Sequence, residues 1–139
     1  MENKLDLIAL NNAYNSYLNA LNFALDMENN PIDKKYIMET AKTSLIHHFE
    51  VIYSVSLSFL KKYLELNINK DEINQLTNKC LFMLAEEKGL IDDFDIWLHF
   101  YNGRNRTLDI YNEKITNELY EISKEFNEYI KKFILALEE

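Results

Sequence analysis

The chain has 139 residues, of which 47% are hydrophobic and 13% aromatic, so it can build one packed domain but not two ordinary ones. Two glycines and one proline exclude a sheet-rich fold, because strands need turn residues at intervals of about 8–12 positions. The formal net charge of −8 repels a phosphate backbone at long range, which excludes a general nucleic-acid coat protein but allows a local cationic pocket.

The compartment is predicted from three absences in the sequence. No uncharged apolar stretch reaches the roughly 18 residues of a membrane-spanning helix. The N-terminus carries Glu2, Lys4 and Asp6 without a following apolar run, so no signal peptide is expected. Cys80 has no partner for an internal disulfide, and we expect it as a buried apolar residue rather than a reactive thiol. A cytoplasmic protein without membrane contact is predicted.

The first half of the chain predicts two long helices. The first is expected from near Leu5 to near Met27, and the break follows at residues 28–31. The second begins after Asp33, a suitable N-cap, and continues to about Leu66 without glycine or proline. Apolar residues at helical spacing support both: Leu7, Leu10, Tyr14, Leu18, Leu21 and Leu25, then Ile37, Ala41, Leu45, Phe49, Ile52, Ser56, Phe59 and Tyr63.

The second half predicts three more helices. Asp71 is expected to cap the third, which ends at Gly89, a residue suited to the position after a helix. A short fourth helix starts at Asp92–Asp93, and Gly103 interrupts or follows it. The last extends over residues 112–137. The apolar positions are Ile73, Leu76, Cys80, Met83 and Leu84; then Phe94, Trp97, Leu98 and Tyr101; then Ile115, Leu119, Ile122, Phe126, Ile130, Phe133 and Leu137.

Helices with apolar stripes of this width need partners that cover them. The pattern therefore predicts an all-α fold, an up-down four-helix bundle with a short extra helix, as a single domain over residues 1–139. The long aromatic-rich helices also favour a homodimer.

The chemistry is concentrated around the only two arginines, Arg104 and Arg106, whereas the other thirteen cations are lysines. A guanidinium binds phosphate in a bidentate way that lysine cannot copy. Hydroxyl, amide and carboxyl groups follow within ten residues, as in a phosphoester or nucleotide site. Two solvated loop cations, or an arginine that stabilises a helix terminus, are the structural alternatives.

The segment from Trp97 to Glu113 resembles the signature of the nucleotidyltransferase substrate-binding family, a HEPN subgroup. The family shows a Trp, then Arg–Asn, then a His four residues after the Asn, followed by Tyr and an acidic residue. Upstream of this segment, residues 89–93 resemble the family's turn before the Trp, and residues 48–50 and 61–64 resemble its second helix. The resemblance implies a dimeric helical bundle whose partner is a minimal nucleotidyltransferase encoded beside it, as in a toxin–antitoxin pair.

The resemblance also assigns roles to individual residues. Arg104 matches the catalytic arginine that stabilises charge on the scissile phosphate, and Asn105 matches the polar residue after it. Tyr111 matches the tyrosine that the partner modifies with AMP. Together with Asn105, the neighbouring Arg106 and Thr107 are expected to bind nucleotide or RNA.

Asp109 stands where the family has histidine, and this is the important departure. An aspartate with an ordinary pKa near 3.9 is a poor acid at neutral pH, so strong ribonuclease activity is not expected. His99 is the histidine nearest to the motif in sequence and is a candidate substitute. Family positions on the second helix that hold Glu, Trp and Lys are matched here by Ser54, Leu57 and Ser58.

Three hypotheses follow. The first is an interaction protein that binds a nucleotidyltransferase and presents Tyr111 or a nucleotide in a cleft lined by Arg104. The second is a metal-independent endoribonuclease that uses Arg104 with Asp109 or His99. The third is a helical scaffold with no nucleotide role. No cofactor or metal is predicted, since metal-binding spacings are absent and the adjacent His47 and His48 point about 100° apart on a helix.

Overall fold

The computed structural model describes residues 5–30, 35–106 and 112–139. The predictions made for Asp33, Thr107, Asp109 and Tyr111 fall outside these ranges. Within them the chain forms helices and no strands, which confirms the all-α fold. In chain order the helices are α1 (Ile8–Asn29), α2 (Lys35–Asn67), α3 (Lys70–Asn74), α4 (Asn78–Glu87), α5 (Phe94–Asn105) and α6 (Glu113–Glu138).

The three long helices α1, α2 and α6 form the body of a bundle, and α4 and α5 pack together and cover its side. Phe126 of α6 lies at the centre, where its ring contacts the rings of Tyr17, Phe49, Trp97 and Phe100 at centroid distances of 5.0–6.2 Å. These five side chains are at most 2% exposed. Side chains from four helices thus meet in one aromatic core. None of the helices in the described ranges is long and apolar enough to cross a membrane.

The predicted third helix is wrong in two respects, because it is two helices and because Asn69, not Asp71, caps the first of them. Asn69 caps α3, and its side chain accepts from the backbone N–H groups of Asp71 and Glu72. Thr77 caps α4 and accepts from the N–H of Cys80 at 3.2 Å. Both caps compete with a continuous helix by offering their oxygens to free N–H groups.

This break shifts the helical phase and overturns two burial predictions. Cys80 is exposed, and Met83 is 47% exposed, although both had been placed on the apolar stripe. The residues of α4 that enter the core are instead Leu81, Phe82 and Ala85. In α1, which is continuous, Leu25 is 37% exposed, while Tyr17 and Ala24 are buried in the core.

Helix α4 ends at Glu87, with Lys88 as its C-cap, and Gly89 follows the helix as predicted. The φ of Gly89 is 77°, which is in the left-handed region. The N–H of Leu90 donates to Ala85 O at 2.9 Å, and the N–H of Gly89 donates to Glu86 O at 3.0 Å. This paired arrangement is the Schellman motif, which satisfies the last carbonyls of a helix. Asp93 then caps α5 by accepting from the N–H of Asp95. After this turn, α5 packs against α4, α2 and α6.

Gly103 neither interrupts α5 nor follows it, because it lies inside the last turn and is buried. A Cβ at this position would be 3.1 Å from Cγ2 and 3.4 Å from Cδ1 of Ile122 on α6. The missing side chain therefore lets the end of α5 approach α6 closely. The same approach sets the position of the next residue, Arg104.

Candidate functional site

Arg104 lies in the last turn of α5, so it is not one of two solvated loop cations. Its Nε donates to Ser54 Oγ at 3.2 Å, and its Nη2 is 3.7 Å from Glu50 Oε1. The side chain is 37% exposed. The cation also complements the negative end of the α5 dipole. Arg104 is thus oriented against α2 while part of its guanidinium faces solvent.

The two α2 contacts of Arg104 differ in charge. Ser54 is a neutral acceptor, and it stands at the position where the family resemblance implies a glutamate. Glu50 is 35% exposed, and its 3.7 Å contact is longer than a charge-assisted hydrogen bond. Ser54 and Glu50 thus orient the guanidinium, whose planar fork can bind a phosphate in a bidentate way.

Arg106 follows α5 as its C-cap and extends to a different helix. Its Nη2 lies 2.7 Å from Glu118 Oε2 on α6, and this hydrogen bond lowers the pKa of the Glu118 carboxyl. Asn105 between the two arginines is exposed. The arginines therefore contact separate helices, and a shared role for Asn105 and Arg106 in binding nucleotide stays a prediction.

The histidines occupy three different environments. His99 is exposed and lies five residues before Arg104 on α5, which places it about 140° around the helix axis from that arginine. His48 is half-buried, and burial, followed by the charge of His47, lowers its pKa. His47 is exposed on the same side of α2 as Ser54, seven residues and about 20° away. The geometry within α5 therefore gives no support to His99 as a partner of Arg104.

The segment that carries Thr107, Asp109 and Tyr111 lies outside the described residues. The structure describes the chain again from Asn112, whose side chain accepts from the N–H groups of Lys114 and Ile115 and caps α6. The predicted catalytic and AMP-acceptor roles of that segment stay predictions.

Sequence reasoning missed the two carboxylates that contact the arginines, Glu50 and Glu118. A signal for Glu50 exists, because it is the only Asp, Glu, Lys or Arg residue between positions 43 and 60. Glu118 carries no such signal, since α6 contains many charged residues. Its pairing with Arg106 depends on how α5 packs against α6.

The chain matches the family described as nucleotidyltransferase substrate binding protein like over residues 6–139. A curated relative, "Probable ribonuclease HepT" of Haemophilus influenzae, is 27% identical over 121 residues, which are 86% of this chain and 83% of that protein.

A solved structure has the same fold. It is that of HI0074 from Haemophilus influenzae, described as the fold of a substrate binding domain of a nucleotidyltransferase. The TM-score is 0.83 at 22% identity, over 94% of this chain and 99% of that one. At this identity the likeness concerns the fold alone.

Proposed function

Because this chain belongs to the nucleotidyltransferase substrate-binding protein family, we propose that it is the HEPN-type partner of a minimal nucleotidyltransferase in the cytoplasm. It presents Tyr111, or a bound nucleotide, in a cleft lined by Arg104. The observation that carries the proposal is the guanidinium of Arg104, which is 37% exposed and is oriented by Ser54 and Glu50. Such a group stabilises the charge of a phosphate that arrives from solvent.

A homodimer is part of the proposal, and the distribution of charge indicates the surface. Charged residues make up 27% of the chain, yet residues 8–25 hold none and residues 43–60 hold only Glu50. On α2 the exposed positions His47, Val51, Ser54 and Ser58 form one stripe, and Ser54 contacts Arg104. Two copies that each carry a net charge of −8 bring few like charges together when they meet here, and Glu50 and Arg104 of each copy lie 3.7 Å apart. The interface brings two Arg104 side chains toward one cleft.

The dimer is tested by Val51→Glu, which adds a charge to the 39% exposed Val51 in the middle of this stripe. The matched control is Leu135→Glu, because Leu135 is 60% exposed on α6. Sedimentation velocity should show a dimer for the wild type and the control, and a monomer for Val51→Glu. A dimer that is unaffected by Val51→Glu contradicts the proposed surface, and a monomeric wild type contradicts the dimer.

The partner activity is tested by co-expression with a small nucleotidyltransferase encoded beside the chain, followed by mass spectrometry. We expect a complex and a mass increase of one AMP on the chain, which the variant Tyr111→Phe abolishes. Tyr36→Phe is the matched control, because Tyr36 is 63% exposed and should not affect the transfer. A chain that neither binds the enzyme nor accepts AMP would leave only a helical scaffold.

A second candidate is a metal-independent endoribonuclease toxin, favoured by the 27% identical relative that carries a ribonuclease name. In this case Arg104 stabilises the scissile phosphate, and Asp109 or His99 transfers protons. Purified wild type should cleave RNA, and Arg104→Ala should reduce the rate by about a hundredfold or more. Lys132→Ala, a change at a distant exposed cation, is the control. Absence of cleavage together with a stable nucleotidyltransferase complex favours the first proposal.

A further inference from the structure

A cleft of about 500 Å³ lies where the C-terminal turn of α1 meets the N-terminal parts of α2 and α6. A second cleft of about 420 Å³ adjoins it along the α2–α6 seam. The two share the walls formed by Met38, Lys42 and Asn117. Both volumes fall within the range of about 300–1,000 Å³ that is typical of small-molecule sites.

One side of the larger cleft is a closed polar network. Tyr120, only 3% exposed, donates its hydroxyl to Glu28 Oε2 at 2.8 Å. Lys124 pairs with Glu28 at 3.4 Å and with Glu121 at 3.1 Å, and its Nζ lies 4.5 Å from the centre of the Tyr120 ring. The charge of Glu28 is therefore already satisfied within the protein.

Lys42 stands opposite this network with neutral partners. Its Nζ donates to Asn117 Oδ1 at 2.9 Å and lies 5.4 Å from the centre of the Tyr120 ring. Among the described parts of the chain, no carboxylate forms an ion pair with Lys42. Carboxylates also line the two clefts (Glu28 and Glu121 in the larger, Glu39 and Glu113 in the smaller), but within the described residues Lys42 itself contacts an amide and a ring, so its ammonium attracts an anionic group from solvent.

The remaining wall is apolar and consists of Met27, Ile37 and Met38. Methionine side chains adapt to flat or irregular apolar surfaces, including those of aromatic rings. A ligand that satisfies both sides therefore has one negatively charged end and one apolar, planar end. An organic phosphate ester of mononucleotide size has this form: in this cleft its phosphate would face Lys42 and its base would cover the methionines.

The cleft is separate from the Arg104 site. Lys42 precedes Glu50 by eight residues on α2, which corresponds to about 12 Å along the helix axis and about 80° around it. A ligand in the cleft therefore approaches a different face of α2 from a phosphate at Arg104.

We propose that the cleft formed by Lys42, Asn117, Tyr120 and the Met27–Ile37–Met38 wall is a binding site for a mononucleotide, distinct from the Arg104 site. The choice of an adenine nucleotide rests on the proposed function. Within that function, this site would bind the nucleotide while Arg104 binds a second phosphate.

The proposal is tested with AMP by NMR of the chain labelled at the methionine methyl groups. The methyl signals of Met27 and Met38 should shift on titration, while Met83 on α4 provides an internal control. Lys42→Met keeps the apolar stem and removes the charge, and it should weaken AMP binding by about tenfold or more. Lys132→Met removes the same charge at an exposed, distant position and should leave binding unchanged.

Titrations with adenosine and with inorganic phosphate test which end of the ligand each wall binds. Adenosine and inorganic phosphate should each bind much more weakly than AMP, because each lacks one of the two ends. Adenosine that binds as well as AMP would overturn the role of Lys42. Absence of Met27 and Met38 shifts, or AMP binding lost in Arg104→Ala and retained in Lys42→Met, overturns the site. If AMP does not bind while the chain still forms its nucleotidyltransferase complex, this proposal fails and the proposed function stands.

Discussion

Gly103 allows a prediction in which the sign of the effect depends on a single neighbour. In a helix interior, Gly→Ala stabilises by about 0.5–1 kcal/mol through helix propensity. Here the new Cβ would lie 3.1 Å from Ile122 Cγ2, and overpacking of this kind costs about 1–3 kcal/mol. We therefore expect Gly103→Ala to lower the free energy of unfolding by about 1 kcal/mol, since the overpacking outweighs the propensity.

The measurement is urea unfolding followed by circular dichroism, for the wild type and for a double-mutant cycle with Ile122→Ala. Truncation of Ile122 removes the atoms that the new methyl group approaches, so Gly103→Ala should stabilise the Ile122→Ala protein by about 0.5–1 kcal/mol. The change of sign is the specific result that the packing predicts. Equal stabilisation of both backgrounds would refute the close approach of α5 to α6 at this position.

Four further predictions concern the core and the Arg106 contact. Tyr53→Phe should cost about 1 kcal/mol by urea unfolding, because the buried Tyr53 hydroxyl donates to Trp97 O at 2.8 Å; an unchanged stability would contradict this. Burial raises the Tyr53 pKa, so its absorbance should not titrate at alkaline pH while the chain is folded. Phe126→Ala removes the ring at the centre of the aromatic core and should cost about 3–5 kcal/mol. Arg106 lowers the Glu118 pKa below 4.5, so the contact stabilises the folded state above that pH, and the stabilisation is lost as pH falls through the lowered pKa. Arg106→Met should raise the Glu118 pKa measured by NMR, and the stability difference between the two proteins should shrink in acid; a pKa that does not change would show that the pair is absent in solution.

A helix and its buried face could be predicted from the sequence where the apolar spacing and the capping residue agreed. The last helix shows this, since Asn112 caps it and Leu119, Phe126 and Phe133 are buried as predicted. Where a cap lies within an apolar pattern, the periodicity was misleading, and Thr77 divided the predicted third helix. The predicted burial of Cys80 and Met83 was wrong for the same reason, because a break changes which face of the following helix packs against the core.

The sequence by itself determined the all-α class, the extents of the long helices, and the concentration of guanidinium groups in one tripeptide. Those features depend on residue type and on spacing along one chain, both of which can be read without a structure. Only the tertiary structure decided that Arg104 contacts Ser54 and Glu50, that Arg106 contacts Glu118, and that Lys42 faces a cleft. These pairings join residues from different helices, so they depend on how the helices pack, and a pattern within one helix carries no information about its neighbour's register.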